Sequence, residues 1–260
     1  MELEDQITQL AWKIKPETRI TVLTGAGVSA ASGVPTFRGA QGLWRNYSPQ
    51  ELATPEAFRR DPALVWEWYN WRRELISCCR PNAAHEALAA WSQRYPGFTL
   101  ITQNVDGLHE KAGTENVLRF HGSIWELSCW ADCSTSPARW RDETVPLAEI
   151  PPHCPYCGGL VRPGVVWFGE GIDPAVLDRS ANALDCDLFI TVGTSAVVYP
   201  AAGLVQEAHR RGVFTVEINP ETTDMCRSVR MAMRGPAEVI FQKLEERLEE
   251  RLEERSEEEI

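Results

Sequence analysis

The chain has 260 residues, 43% hydrophobic and 24% charged, enough for one large core or a core with a small satellite. No apolar run approaches the roughly 18 residues that span a bilayer, and the acidic start Met1-Glu2-Leu3-Glu4-Asp5 is unlike a basic signal or transit peptide, so a cytoplasmic location without membrane partners is expected. Of the net charge of −11, residues 244–260 carry −6, and the remaining −5 offers no basic stripe for nucleic acid while admitting a cationic partner such as a lysine-bearing protein.

Residues 1–15 place Leu3, Ile7, Leu10, Ala11 and Ile14 at helical spacing and stop before Pro16. The run Ile20-Thr21-Val22-Leu23-Thr24 reads as a buried parallel strand. Gly25, Gly27 and Ala30 follow in G-x-G-x-x-G/A spacing. Two such glycines allow a tight turn and close approach to a pyrophosphate, whose charge suits the free N–H groups of a helix N-terminus. The second strand of a plain dinucleotide unit is missing, and Gly33-Val34-Pro35-Thr36-Phe37-Arg38-Gly39 predicts instead an ordered loop over the reactive end of a dinucleotide.

A tryptophan-rich helix is predicted over 56–77, with Tyr69 and Arg72 on one face. A phenol beside a guanidinium suits a carboxylate, and pairing of Arg72 with Glu67 or Glu74 is the alternative. A helix over 83–94, a strand over 98–102 and a short strand over 117–120 follow, the last leading into His121-Gly122. His121 is either a catalytic base or a structural histidine, with His85, His109, His153 and His209 as competitors.

From about 126 to 160 the chain is cysteine-bearing, proline-rich and poorly periodic, the signature of a small inserted module. Cys129, Cys133, Cys154 and Cys157 form two close pairs that suit a four-thiolate, structural Zn2+ site, with buried unliganded cysteines as the alternative. Strand character returns at 165–168 and is predicted again at 188–192, 213–218 and 239–241, with helices over 173–184 and 201–210.

The alternation predicts an α/β fold with a doubly wound parallel, Rossmann-like sheet. Its expected division is a discontinuous dinucleotide-binding domain (1–125 and 161–243), a zinc-ribbon module (126–160) and a charged C-terminal helix or tail (244–260) that is solvated and frays. Gln103-Asn104-Val105-Asp106, Gly193-Thr194-Ser195 and Asn219-Pro220-Glu221 all follow strands and describe, with the glycine loop, one crevice at the strand carboxyl ends.

These residues together resemble the sirtuins, NAD-dependent protein-lysine deacylases, over 18–241. The matching motifs are GAGVSAASGVPTFR (25–38), TQNVDGLH (102–109), HGS (121–123), the cysteine pairs, VVWFGE (165–170), VGTS (192–195) and Ile218-Asn219. Tyr69-Asn70-Trp71-Arg72 resembles the Tyr-x-x-Arg signature of the class III branch, which removes succinyl, malonyl and glutaryl groups; TPEAF (54–58) and VVYPAA (197–202) are similar to that branch too.

The resemblance implies that Gly25, Ala26, Gly27 and Ser29 hold the NAD phosphates, with Phe37, Arg38 and Trp44 on or beside the cofactor loop. Gln103, Asn104 and Asp106 would line the ribose and nicotinamide pocket, Gly193, Thr194, Ser195 and Asn219 would bind the adenosine half, and Glu221 and Ala237 would lie nearby. Val166, Trp167, Phe168 and Gly169 would pair with the substrate backbone as an added strand, and Tyr69 and Arg72 would read the acyl carboxylate. His121, with Asn104, would be catalytic, the imidazole deprotonating a ribose hydroxyl. Acylated-lysine proteins are the implied substrates, nicotinamide and O-acyl-ADP-ribose the products, and a monomer the expected state. The chain departs from the family in the three-residue gap between Cys129 and Cys133 and in its Glu/Arg tail.

Overall fold

The computed structural model describes residues 2–36, 48–195 and 197–258. In chain order its elements are α1 (Leu3–Lys13), β1 (Ile20–Thr24), a 3-10 helix (Ala26–Ser32), α2 (Pro49–Leu52), α3 (Pro55–Arg60), α4 (Pro62–Ser77), α5 (Ala83–Arg94), β2 (Phe98–Thr102), α6 (Leu108–Lys111), β3 (Leu118–Arg119), β4 (Gly122–Cys129), β5 (Trp140–Arg141), β6 (Val161–Val165), α7 (Pro174–Asn182), β7 (Leu188–Val192), α8 (Ala201–Arg210), β8 (Phe214–Ile218), a second 3-10 helix (Asp224–Arg227), β9 (Met231–Met233) and α9 (Ala237–Glu258).

Six strands form one parallel sheet in the order β3-β2-β1-β7-β8-β9. The order runs outward from β1 in both directions, so a crevice opens between β1 and β7 at the carboxyl edge. Every residue of β1 and β7 is buried, as continuous apolar runs covered on both faces require. Ile20, Val22, Leu100, Ile190 and Val216 pack under α1, α5 and α9. Leu23, Ile101 and Phe189 face α7 and α8.

A separate three-stranded antiparallel sheet, β5-β4-β6, carries the cysteines. It shares its core with α3 and α4 through Phe58, Trp66, Tyr69, Ile124 and Val161. Helices α3 and α4 thus bury their apolar face against this sheet.

The predicted helix over 56–77 is two helices. Pro55 and Pro62 each occupy a first turn, where a missing N–H costs nothing, while Thr54 accepts from the Ala57 N–H at 3.1 Å and Asp61 from the Leu64 N–H at 3.0 Å.

The last strand is Met231–Met233, and the predicted strand at 239–241 instead forms the first turn of α9. Ile240 and Phe241 are buried, as are Leu244 and Leu248 further along the same helix. Arg251 donates to the carbonyls of Ala11 and Ile14 at the end of α1. The expected frayed tail is thus a docked helix through at least Arg251. Among the described residues no helix is long and apolar enough to cross a membrane.

Candidate active site

The crevice is a cavity of about 620 Å³ bounded by the glycine loop, the ends of β2, β7 and β8, α4, and the segment after β6. Its floor is a backbone crossing. A Cβ on Gly27 would lie 2.7 Å from the Gly193 Cα, and one on Gly193, whose φ is +58°, would lie 2.4 Å from the Val28 nitrogen. Both positions therefore demand glycine. The Gly25 and Gly27 N–H groups donate to Val192 O at 2.9 Å and Gly193 O at 2.7 Å. The two glycines thus join β1 to β7, and a seven-residue 3-10 helix, Ala26–Ser32, stands where an α-helix was expected.

Asn104 is fixed by what it touches. Its amide nitrogen donates to Gly25 O and Ser29 Oγ, both at 3.2 Å, and a carbonyl can only accept, so Oδ1 is left toward the cavity. Ser29 Oγ donates to Asp106 Oδ2 at 2.8 Å, and Asp106 Oδ1 accepts from Leu108 N at 2.9 Å. The Asn82 N–H donates to His85 Nδ1 at 3.3 Å, which makes Nε2 the protonated nitrogen facing Ser29 Oγ, also at 3.3 Å. Burial raises Asp106 above the usual carboxylate range, opposed by these hydrogen bonds.

His121 lines the same cavity. Its Nδ1 lies 2.9 Å from Gln103 O, an acceptor only, so Nδ1 carries the proton and Nε2 holds a free lone pair. Burial lowers its pKa from the ordinary 6.5 while the Gln103 contact raises it, and the imidazole is neutral at pH 7.

Tyr69 and Arg72 lie at the α4 wall, 3% and 5% exposed. Arg72 stands 4.9 Å over the Trp68 ring. Burial pushes the Tyr69 phenol up to about 12 and lowers the Arg72 guanidinium, which stays charged. On the wall formed by the ends of β7 and β8, the Asn219 amide donates to Thr194 O at 3.0 Å and its Oδ1 accepts from Glu221 N at 3.1 Å.

In the segment after β6, Val166 N donates to His121 O, Trp167 N to Glu170 Oε2 and Phe168 N to Ala53 O. Three successive donors are thus committed within the chain.

The four thiolates converge on one point. Cys129 and Cys157 sulfurs are 3.7 Å apart, Cys133 and Cys154 sulfurs 3.9 Å, and all four lie within 4.8 Å of one another. A tetrahedron with Zn–S bonds of about 2.3 Å spaces its sulfurs about 3.8 Å apart, so the four cysteines are positioned to bind one zinc ion. The longer first knuckle does not prevent this. Gly158, at φ +73°, turns the second, with its N–H donating to Cys154 O at 2.8 Å.

Most of the sequence-selected residues thus meet in one cavity: Gly25, Ala26, Gly27, Tyr69, Arg72, Gln103, Asn104, His121, Val166, Trp167, Phe168, Gly169, Gly193, Thr194, Ser195, Asn219 and Glu221. Ser29 and Asp106 stand behind Asn104 rather than on the cavity wall. Ala237, the first residue of α9, is 4% exposed in the core and is not among the residues lining the cavity. Phe37, Arg38 and Trp44 lie outside the described residues. Trp68, Tyr199, Thr223 and Asp224 line the cavity without having been singled out. Of these, Trp68, next to Tyr69, and Tyr199, within VVYPAA (197–202), carried a readable signal.

Sheet order, glycine crossing and four-thiolate satellite define a dinucleotide-binding enzyme with a structural metal module. A sequence model of the Sir2 family matches residues 25–200, and the chain belongs to that family. The NAD-dependent protein deacylase of Aquifex aeolicus is 49% identical over 226 residues, 86% of this chain and 93% of its own length. A mutant Sir2 homologue in complex with ADP-ribose is similar at a TM-score of 0.87 and 43% identity, over 94% of this chain and 97% of that one. A Sir2 protein bound to a myristoylated histone peptide is similar at 0.77 and 30%, over 96% and 99%.

Proposed function

We propose that this chain is an NAD-dependent protein-lysine deacylase that prefers succinyl and malonyl groups and also removes acetyl, releasing nicotinamide and O-acyl-ADP-ribose. The observation that carries the reading is the meeting of Tyr69 and Arg72 with His121 in one cavity. A carboxylate drawn into an apolar channel is costly without a partner, and one charge-assisted contact contributes about 1.5–3 kcal/mol, an order of magnitude or more in selectivity.

When bound, NAD supplies the ribosyl carbon that takes the acyl oxygen as nicotinamide departs. Gly25, Gly27, Gly193, Thr194 and Asn219 would hold it across the β1–β7 crevice. His121 Nε2, unprotonated and facing the cavity, takes a proton from a ribose hydroxyl. Asn104 Oδ1 presents a fixed acceptor to the reacting sugar. Trp167 and Phe168 flank the acyl-lysine entrance, Phe168 being 47% exposed.

A cytoplasmic setting and a monomer belong to this proposal; eight cysteines without a disulfide are consistent with a reducing compartment. The test is NAD-dependent turnover of matched succinyl-lysine and acetyl-lysine peptides. Succinyl preference supports the reading, and equal rates, or acetyl preference, would reduce it to plain deacetylation.

A further inference from the structure

Tyr69, unlike its neighbour Arg72, can either donate or accept a hydrogen bond. Which it does depends on its one described hydrogen-bond partner. Trp167 Nε1 lies 3.0 Å from the Tyr69 oxygen, and an indole N–H only donates. The phenol oxygen is therefore the acceptor in that contact, and its own proton must go elsewhere. Arg72, its cationic neighbour along α4, has no lone pair to receive it. At 3% exposure there is little bulk water to receive it, and the cavity is the remaining direction.

Trp167 is itself held rigidly. It is 2% exposed, with the Arg162 guanidinium 3.8 Å over its ring and Phe58 at 5.3 Å. Arg162 in turn forks onto Glu170 at 2.5 and 2.8 Å, and Glu170 accepts from the Trp167 backbone N–H at 2.8 Å. The indole cannot turn away without breaking this clamp.

We infer that Trp167 is a specificity-setting residue: by filling the acceptor side of Tyr69, it aims the Tyr69 O–H at the terminal carboxylate of the acyl chain. The inference rests on the carboxylate-acyl reading above and assigns the donor direction within it. A carboxylate accepts from Tyr69 and Arg72 together. An acetyl methyl accepts from neither, so the gain is confined to acidic acyl groups.

The experiment is a double-mutant cycle read as the ratio of kcat/KM for succinyl-lysine over acetyl-lysine peptides, so that any loss common to both peptides cancels. Trp167→Phe, Tyr69→Phe and the double variant are compared with the parent. Replacement of Trp167 by β-(3-benzothienyl)alanine, which keeps the shape but lacks the N–H, guards against poor folding of Trp167→Phe. The expected ratio falls about tenfold on loss of the indole donor, falls similarly in Tyr69→Phe, and falls no further in the double variant. An unchanged ratio in both tryptophan replacements, or multiplying effects, overturns the inference. If the parent has no succinyl preference, the underlying reading fails and takes the inference with it. If Arg72→Met erases the preference and the tryptophan replacements do not, only the inference fails.

Discussion

The imidazole Nδ1 of His121 lies 2.9 Å from the carbonyl oxygen of Gln103, and this one contact decides which nitrogen can act as a base. Gln103 begins the polar turn after β2, and its side chain reaches across the crevice to Thr194 Oγ1 at 3.0 Å. The same residue therefore orients the His121 ring and ties the two halves of the site together. His121→Ala is expected to lower kcat by about two to four orders of magnitude with the melting temperature little changed. A loss of less than tenfold would assign His121 to structure.

The pH dependence follows from the burial of that ring. A base at His121 would work unprotonated, and burial lowers the ring's pKa from the ordinary 6.5. The acid limb of kcat/KM should therefore fall beneath pH 6.5 and vanish in the residual activity of His121→Ala. A limb centred above pH 7 would contradict the assignment.

Stability should carry a second pH signature. His85 and His109, rings 4.8 Å apart, are pushed by burial to about 3. Their unfolded values lie near 6.5, so between pH 3 and 6.5 the unfolded chain binds more protons than the folded one. Stability is full above this window and declines as pH falls through it, by up to about 1.4 kcal/mol per pH unit for each ring. Urea midpoints at pH 7, 6 and 5 should show a shallower decline in His109→Gln than in the parent; parallel declines would refute the claim.

The thiolate cluster predicts one zinc per chain, measured by elemental analysis, and loss of the metal in Cys154→Ser. Because the cysteines hold a sheet that packs on α4, their loss should lower the melting temperature by about 10 °C. Full zinc content in that variant would exclude the four-thiolate assignment.

Leu248, 1% exposed on α9, tests the docked helix. Leu248→Ala should cost about 2–5 kcal/mol by urea unfolding, whereas a solvated tail would tolerate it within about 0.5 kcal/mol.

What the sequence made legible follows the physics of each segment. Strands β1 and β7 stood out because burial on both faces leaves mostly apolar, β-branched runs, β2 and β8 because they repeat that character between helices, and the cysteine pairs because of their metal-ligand spacing. The trio Val239-Ile240-Phe241 misled for the converse reason: a short apolar run has no period, and here it is a helix turn that meets the core. A leucine every fourth residue among glutamates looked solvated, yet Leu244 and Leu248 find α1 and α5 as partners that no local pattern announces. Within the site, strand-end clusters indicated the cavity wall. The layer behind it, in which Ser29 and Asp106 fix Asn104, depends on contacts between residues 75 and 77 positions apart and was invisible locally.

The most direct test of the account is the succinyl-to-acetyl ratio of kcat/KM in the parent protein and in Arg72→Met, with NAD saturating. The account predicts a clear succinyl preference in the parent, and in Arg72→Met a loss of tenfold or more in succinyl turnover with acetyl turnover far less affected. Equal loss of both activities, or an unchanged ratio, would contradict the reading of Arg72 as the group that recognises the acyl carboxylate.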